Sequence, residues 1–381
     1  MEDERKRTWA EVSLPNLTNN YLALQSLLPR GCRLMGMVKA NAYGHGAVAV
    51  AKKLEALEAD YLGVATLDEA VELREAGVTL PILILGGTDP QYAAQLIRYD
   101  LTQTVFDIAA AIALSRGAEE AGGRLTIHIK VDTGMGRLGF LCDEAHLEES
   151  AAEIHAVCKL PGLLAEGIFT HFAAADEDES YTMTQFQRFW DVMERIEKLG
   201  YTFPIRHCAN SPATLQYPSF HLDMVRPGIA LYGCLPTPEM EGLCDLKPVM
   251  SVKSRIMAVR QVPAGSGVSY GRTCILDRDA TLAVLPIGYG DGFFRGLSNR
   301  YEVLIHGRRA PIVGRICMDL CMADVTGIAD VAPGDVATVY GRDGAEEQPV
   351  EAAAQALDTI SYEILCAVGR RVPRLYREDA Q

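Results

Sequence analysis

From about residue 32 to residue 235 the chain repeats one pattern: a short apolar run, then an amphipathic segment. The runs are Leu34–Lys39, Tyr61–Thr66, Ile82–Gly86, Leu101–Phe106, Leu125–Asp132, Leu164–Thr170, Ile205–Ala209 and Val225–Tyr232. Between them lie segments of helical period, among them Gly46–Ala59, Leu67–Ala76, Asp107–Ala121 and Tyr181–Leu199. Parallel strands covered on both faces read as unbroken apolar runs, and the helices that cover them read as amphipathic. Eight such units predict a closed (β/α)8 barrel in the α/β class. An open, doubly wound sheet is the alternative. The regularity of the eight units and the lack of a GxGxxG after the first strand weigh against it.

The texture changes after Pro236. Alternating runs with glycine turns take over at Lys253–Val262, Leu282–Pro286, Tyr301–Ile305, Pro311–Ile316 and Val336–Tyr340, and one helical segment, Val350–Val368, interrupts them. The expected organisation is a barrel over 12–240 followed by a mainly β C-terminal domain over 241–381. The boundary falls in the proline- and acid-containing stretch Leu235–Lys247. The N-terminal residues 1–11, with the strand pattern Thr8–Val12, can join either part. Beyond the βα period itself there is no internal repeat and no low-complexity tract.

A chain of 381 residues has room for one large and one smaller domain. The net charge of −14 leaves no basic excess for neutralising phosphates, which argues against nucleic-acid binding while allowing a local pocket for a small anion. The ten cysteines show no CxxC pairs and no metal-ligand spacing, so reduced thiols and no metal site are expected. Neither an apolar signal segment at the start nor an apolar run of bilayer length is visible, so a cytoplasmic protein without membrane contact is expected.

Chemistry enters at the end of the first run. Leu34-Met-Gly-Met-Val-Lys-Ala-Asn-Ala-Tyr-Gly-His-Gly46 places Lys39 where an apolar strand meets a glycine turn. Barrels keep their reacting groups at the C-terminal ends of strands. An amine partly desolvated there can lose its charge and attack a carbonyl compound.

Val38-Lys-Ala-Asn-Ala-Tyr-Gly-His-Gly46 resembles the pyridoxal-phosphate lysine signature of the alanine racemases. The likeness continues in order through His171 in Thr-His-Phe-Ala-Ala-Ala-Asp, Asn210-Ser-Pro-Ala-Thr, Arg226-Pro-Gly-Ile-Ala-Leu-Tyr-Gly and Val268-Ser-Tyr-Gly. It then runs through Pro286-Ile-Gly-Tyr-Gly-Asp-Gly, Gly314-Arg-Ile-Cys-Met-Asp and Ser361-Tyr-Glu-Ile. Eight matching segments across both expected domains make it a strong resemblance.

That resemblance implies pyridoxal 5'-phosphate as cofactor, L- and D-alanine as substrates, and a homodimer. It makes Lys39 the cofactor-binding residue and the base on one face of the substrate's α-carbon. Tyr270, reaching in from the other subunit, would be the acid or base on the opposite face. Arg226 would hydrogen-bond the pyridine nitrogen and, unable to give up its proton, leave that nitrogen unprotonated. The cofactor would then be a weaker electron sink, with less side reaction by transamination. His171 would hydrogen-bond Tyr270 or Arg226. Tyr43, Ser211, Gly228, Ile229 and Tyr362 would hold the phosphate. Arg137 and the backbone of Met318 would meet the substrate carboxylate, with Lys130 (often carbamylated in the family) supporting the arginine. Asp176, Arg295, Arg315 and Asp319 resemble residues of the access corridor. The pathway implied is D-alanine supply for peptidoglycan.

Three other readings share parts of this pattern. A serine or broader amino-acid racemase would meet Tyr362, which resembles a residue crowding side chains larger than methyl. Such a contact discriminates by only about 1–3 kcal/mol, so slow serine turnover is expected. A non-catalytic cofactor carrier would keep the lysine without the residues after Pro236. A decarboxylase of the same plan would lack the arginine and the tyrosine.

Overall fold

A computed structural model of the chain describes residues 6–378. The contacts divide it into two compact units. The barrel unit comprises Thr18–Ala42 and Ala47–Leu246; the β unit comprises the chain through Leu17, the tetrapeptide Tyr43–Gly46 and the chain from Lys247 onward.

In the barrel unit the parallel order is Met224–Val225, Arg33–Met37, Tyr61–Val64, Ile82–Ile84, Thr102–Val105, Leu125–Asp132, Leu163–Phe169 and Ile205–His207. The first and last strands are joined by two backbone bonds, Asp223 N to Arg206 O (3.1 Å) and Arg226 N to Ala209 O (2.9 Å), which nearly close the cylinder. The helices start where the sequence offers side-chain acceptors for their first N–H groups. Thr66 caps Leu67–Glu75, Asp107 caps Ile108–Glu120, and Asp178 caps Glu179–Lys198. The last of these buries Thr182, Gln185, Phe189, Val192 and Ile196, a spacing of three and four that puts one face inward.

The eighth apolar run corrects the expected strand Val225–Tyr232. Only Met224–Val225 is extended, and Ile229–Tyr232 forms a 3-10 turn. Pro227 has no N–H for a ladder, and Gly228 (φ −104, ψ −89) turns the chain out of strand geometry.

The β unit holds a mixed sheet in the order Arg308–Pro311, Glu302–Ile305, Val336–Asp343, Met250–Arg255, Thr8–Ser13, Arg374–Arg377, and a smaller sheet of Ala258–Val262, Ala280–Leu285 and Cys321–Asp324. The N-terminal strand lies between Met250–Arg255 and Arg374–Arg377. Three expectations are corrected here. Lys253–Val262 is two strands, because Ile256 N bonds Asp335 O and Met257 N bonds Val284 O, which moves the chain from one sheet to the other. Pro311–Ile316 is not a continuous strand; the ladder with Glu302–Ile305 ends at Pro311, Ile312 makes only an isolated bridge to Ala323, and Gly314 takes φ 77. Val350–Val368 is two helices, Val350–Leu357 and Ser361–Ala367, broken at Asp358 in the left-handed region (φ 55). Among the described residues no helix is long and apolar enough to cross a membrane.

Glu11 ties three strands of the large sheet together. Its carboxylate meets Lys253 Nζ at 2.7 Å, Arg377 Nη2 at 2.9 Å and Trp9 Nε1 at 3.1 Å. Burial by itself would raise its pKa, but these donors together bring it from 4.5 down to about 2. A depressed folded-state value means that the ion pairs stabilise the fold fully above pH 4.5 and cease to do so as pH falls toward about 2. We therefore expect Glu11→Gln to lower the denaturation midpoint at neutral pH, with the gap to wild type closing as pH drops through that window. A gap that stays constant with pH would refute the ion-pair account.

Candidate active site

Lys39 follows the strand Arg33–Met37 after one residue and is half-buried. The backbone beyond it is unusual. Ala40, Asn41, Ala42 and Tyr43 have φ of 51, 55, 53 and 51, a full turn of left-handed helix built without glycine. Each such residue costs roughly 1–2 kcal/mol relative to a right-handed conformation, so the turn exists because its surroundings hold it. Ala42 N donates to Val38 O at 2.8 Å. The Glu69 carboxylate accepts from Ala40 N and Ala65 N, both at 2.7 Å, and Asn41 Oδ1 accepts from Ala47 N at 2.9 Å. The amine is thus carried on a clamped turn.

Four further groups in the barrel unit share the electrostatic environment of Lys39. Lys130, only 5% exposed, sits with Nζ 5.5 Å from the centroid of the Phe169 ring. Burial, then the charges of Arg137 and Arg226, push its pKa down to about 8. Arg226 lies over the same ring at 5.2 Å. His171 is held well below its usual range by burial, then by Arg226, Lys130, Arg137 and Lys39. This concentration of positive charge suits an anionic cofactor and a carboxylate substrate.

Arg137 is exposed, but its backbone is not loose. Asp132, at the end of its strand, accepts four backbone N–H groups: Gly134 (2.9 Å), Met135 (2.8 Å) and Gly136 (3.1 Å) on Oδ1, and Arg137 (2.8 Å) on Oδ2. Burial opposes ionisation of this carboxyl, yet the four donors leave its pKa below the ordinary value.

Arg226 is buried, and pairing matters more than charge there. Nη1 donates to His207 Nδ1 at 2.8 Å. Nη2 donates to Thr170 O at 2.8 Å, with His171 Nδ1 and Cys208 O each at 3.3 Å. A guanidinium can only donate, so His171 Nδ1 is an acceptor and its Nε2 carries the proton. Behind His207 stand His128 and Glu166. None of these three stands out in the sequence. A histidine inside Leu125–Asp132 reads as an ordinary core residue, and only the threefold contact shows otherwise.

The segment expected to hold a phosphate has the chemistry for it. Ser211 opens the helix Ser211–Gln216, which Asn210 caps. Its Oγ accepts from Gly228 N (2.9 Å) and Ala230 N (3.3 Å), flanking Ile229. Both lone pairs are then occupied, and the hydroxyl proton can point at an anion. Asp176 is exposed on the barrel unit.

The β unit carries the other expected residues. The Tyr43 and Tyr362 rings lie 5.8 Å apart, and burial raises the Tyr43 pKa, which keeps its phenol protonated. Tyr270 is 71% exposed. It follows Ser269, whose φ of 61 and ψ of −171 are foreign to L-residues, and Ser269 Oγ donates to Arg315 O at 2.6 Å. Met318 and Asp319 are exposed. Arg371 Nη2 donates to Asp319 Oδ1 (2.7 Å) and to Met318 O (3.4 Å), while Arg371 Nε bonds the buried Asp291 carboxylate at 2.9 Å. Arg295 is exposed and Arg315 half-buried. Among the described residues no His, Cys, Asp and Glu cluster could hold a metal ion.

Residues 12–236 match the family model "Alanine racemase, N-terminal domain", and residues 249–376 match "Alanine racemase, C-terminal domain". An alanine racemase of Desulforamulus reducens is 48% identical over 97% of this chain and 98% of its own. A solved alanine racemase of Clostridium difficile 630 superposes with a TM-score of 0.93 at 40% identity, covering 98% of this chain and 96% of the other. The Bacillus anthracis alanine racemase, solved with bound L-Ala-P, gives 0.92 at 34% identity over 99% and 96%.

The Asp132 cradle makes a prediction. Asp132→Ala orphans four N–H groups and should destabilise the barrel unit by about 2 kcal/mol or more. It should also speed tryptic cleavage after Arg137. An unchanged midpoint with an unchanged cleavage rate would show that the loop holds itself.

Proposed function

The chain belongs to the alanine racemase family, and we propose that it interconverts L-alanine and D-alanine with pyridoxal 5'-phosphate, using Lys39 and Tyr270 on opposite faces of the substrate. The observation that carries this reading is Lys39 on its clamped turn, sharing one field with Arg226, His171, Lys130 and Arg137. Ser211 with Gly228 and Ile229 would hold the phosphate, joined by the phenols of Tyr43 and Tyr362. The bound cofactor supplies an electron-withdrawing ring that acidifies the hydrogen on the substrate's α-carbon.

The chain's own residues do the rest. Lys39 Nζ binds the cofactor and moves a proton on one face. Tyr270 Oη holds or takes the proton on the other face. Its exposure in the single chain is what a group contributed to a second subunit requires, which supports a homodimer. Arg226 donates to the ring nitrogen without being able to protonate it. Its other donors are occupied by His207 and Thr170, so its direction is fixed. Arg137 and the Met318 backbone would receive the carboxylate. Asp176, Arg295, Arg315 and Asp319 would line the approach. A cytosolic role in supplying D-alanine for peptidoglycan completes the proposal.

Lys130 would act as a carbamate. A buried amine with a pKa of about 8 is neutral often enough to attack CO2. Attack by the neutral amine forms the N–C bond and releases one proton; counted from the ammonium form two protons leave, and an anion stands beside Arg137 in place of a cation. With 13C-bicarbonate, a carbamate signal should appear in the wild type and be missing from Lys130→Arg. A wild type with no such signal would exclude the modification.

The catalytic reading is tested by chiral chromatography of L-alanine incubated with PLP-loaded protein, with L-serine as control. D-Alanine is expected from the wild type and should be reduced by roughly 100-fold or more in Lys39→Ala and Tyr270→Phe. Loss in the lysine variant alone would put the second base elsewhere, and no D-alanine from a yellow, cofactor-loaded protein would end the proposal.

A further inference from the structure

Barrel interiors are normally filled by branched aliphatic side chains, yet a continuous polar line crosses this one. It starts at Glu166, whose side chain is 33% exposed. Glu166 Oε2 accepts from Tyr61 Oη at 2.7 Å and lies 3.1 Å from His128 Nε2. His128 Nδ1 is 2.9 Å from His207 Nε2, and His207 Nδ1 is 2.8 Å from Arg226 Nη1. Tyr61, also bonded to Thr102 (3.0 Å), opens its strand, as Thr102 opens the next but one. His207 ends its strand, and Arg226 directly follows Val225. The line therefore runs along the barrel from the N-terminal ends of the strands to the C-terminal ends.

Two backbone features show that the line is built in. Between Leu125–Asp132 and Leu163–Phe169 the register shifts: Ile127 faces Ala165 and His128 faces Gly167, so Glu166 is the extra residue of a bulge. Bulges re-aim side chains, and this one brings a carboxylate to His128. A Cβ on Gly167 would come within 2.6 Å of the His128 ring, so only glycine leaves room for that imidazole.

The two ends settle every proton between them. Arg226 only donates, so His207 Nδ1 accepts and its proton sits on Nε2. That proton points at His128 Nδ1, which must accept, leaving the His128 proton on Nε2 facing the Glu166 carboxylate. A second proton on either ring would set one N–H against another.

We propose that Glu166 is a positioning residue for Arg226. From the far end of the barrel it sets the tautomers of His128 and His207, and so keeps an acceptor in front of Arg226 Nη1. This rests on the reading of Arg226 as partner of the cofactor ring. Without an acceptor at residue 166, His128 gains nothing from the Nε2–H tautomer. Arg226 alone then biases the two rings, so that the alternative tautomers become populated at the cost of its contact with His207.

The test is long-range 1H–15N correlation of cofactor-free protein labelled with 15N-histidine, with assignments from His128→Gln and His207→Gln. Both histidines should appear as Nε2–H tautomers in the wild type and in Glu166→Gln, whose amide oxygen still accepts. Glu166→Leu should show Nδ1–H signals. Nδ1–H in the wild type would overturn the proposal whether or not the leucine variant folds, and so would unchanged tautomers in Glu166→Leu. In PLP-loaded protein, kcat should fall roughly 10-fold or more in Glu166→Leu and recover in Glu166→Gln. A kcat unaffected by altered tautomers would break the link to Arg226. A wild type that racemises no alanine would defeat the proposed function, while the tautomer spectra would still decide the role of Glu166.

Discussion

Arg226 can only donate hydrogen bonds, and it sits where water cannot supply the acceptors. Much of the barrel is arranged around that demand. Thr170 and Cys208 turn carbonyls toward it, His207 offers a ring nitrogen, and Phe169 stacks flat against His207 (4.8 Å between centroids, 9° between planes) while lying under the guanidinium. The strands that bear these groups are held in register by the same ladder that closes the cylinder, where Arg226 N itself bonds Ala209 O. Replacing such a residue with an apolar one would leave its acceptors orphaned as well as remove a charge.

A second constraint is local strain beside Lys39 and Tyr270, the two residues proposed to react. The left-handed turn after Lys39 and the forbidden angles at Ser269 before Tyr270 both involve L-residues where glycine would be at ease. Each is held by hydrogen bonds to groups remote in sequence: the Glu69 carboxylate for the first, and for the second the Arg315 backbone carbonyl, which accepts from the Ser269 hydroxyl. Clamped backbone of this kind removes freedom from the side chain it carries, which is what directional proton transfer requires.

Much of the barrel was legible because parallel strands buried on both faces write themselves as apolar runs, and seven of the eight runs lie on strands observed. Errors fell where a local signal was outweighed. Pro227 and Gly228 broke an apolar run that looked continuous, and Asp358 broke a helical period. Cys321–Asp324 is too short to announce itself, and its pairing with Leu282–Leu285 is a long-range fact. At the site, Lys39 was legible because its neighbours form a dense motif. His128, His207 and Glu166 were not, since each alone resembles a residue of the core or the surface.

What the sequence by itself determined is most of the barrel's strands and the chemical types placed at their ends: an amine after the first strand, a guanidinium after the eighth, an acid at the end of Leu125–Asp132. These follow from local periodicity and from residues a few positions apart. Only the tertiary structure decided which groups face one another. A bulge of one residue turned Glu166 toward His128, and barrel closure brought His207 to Arg226. Register and closure depend on contacts between segments far apart in the chain, and a shift of one residue sends a side chain to the opposite face.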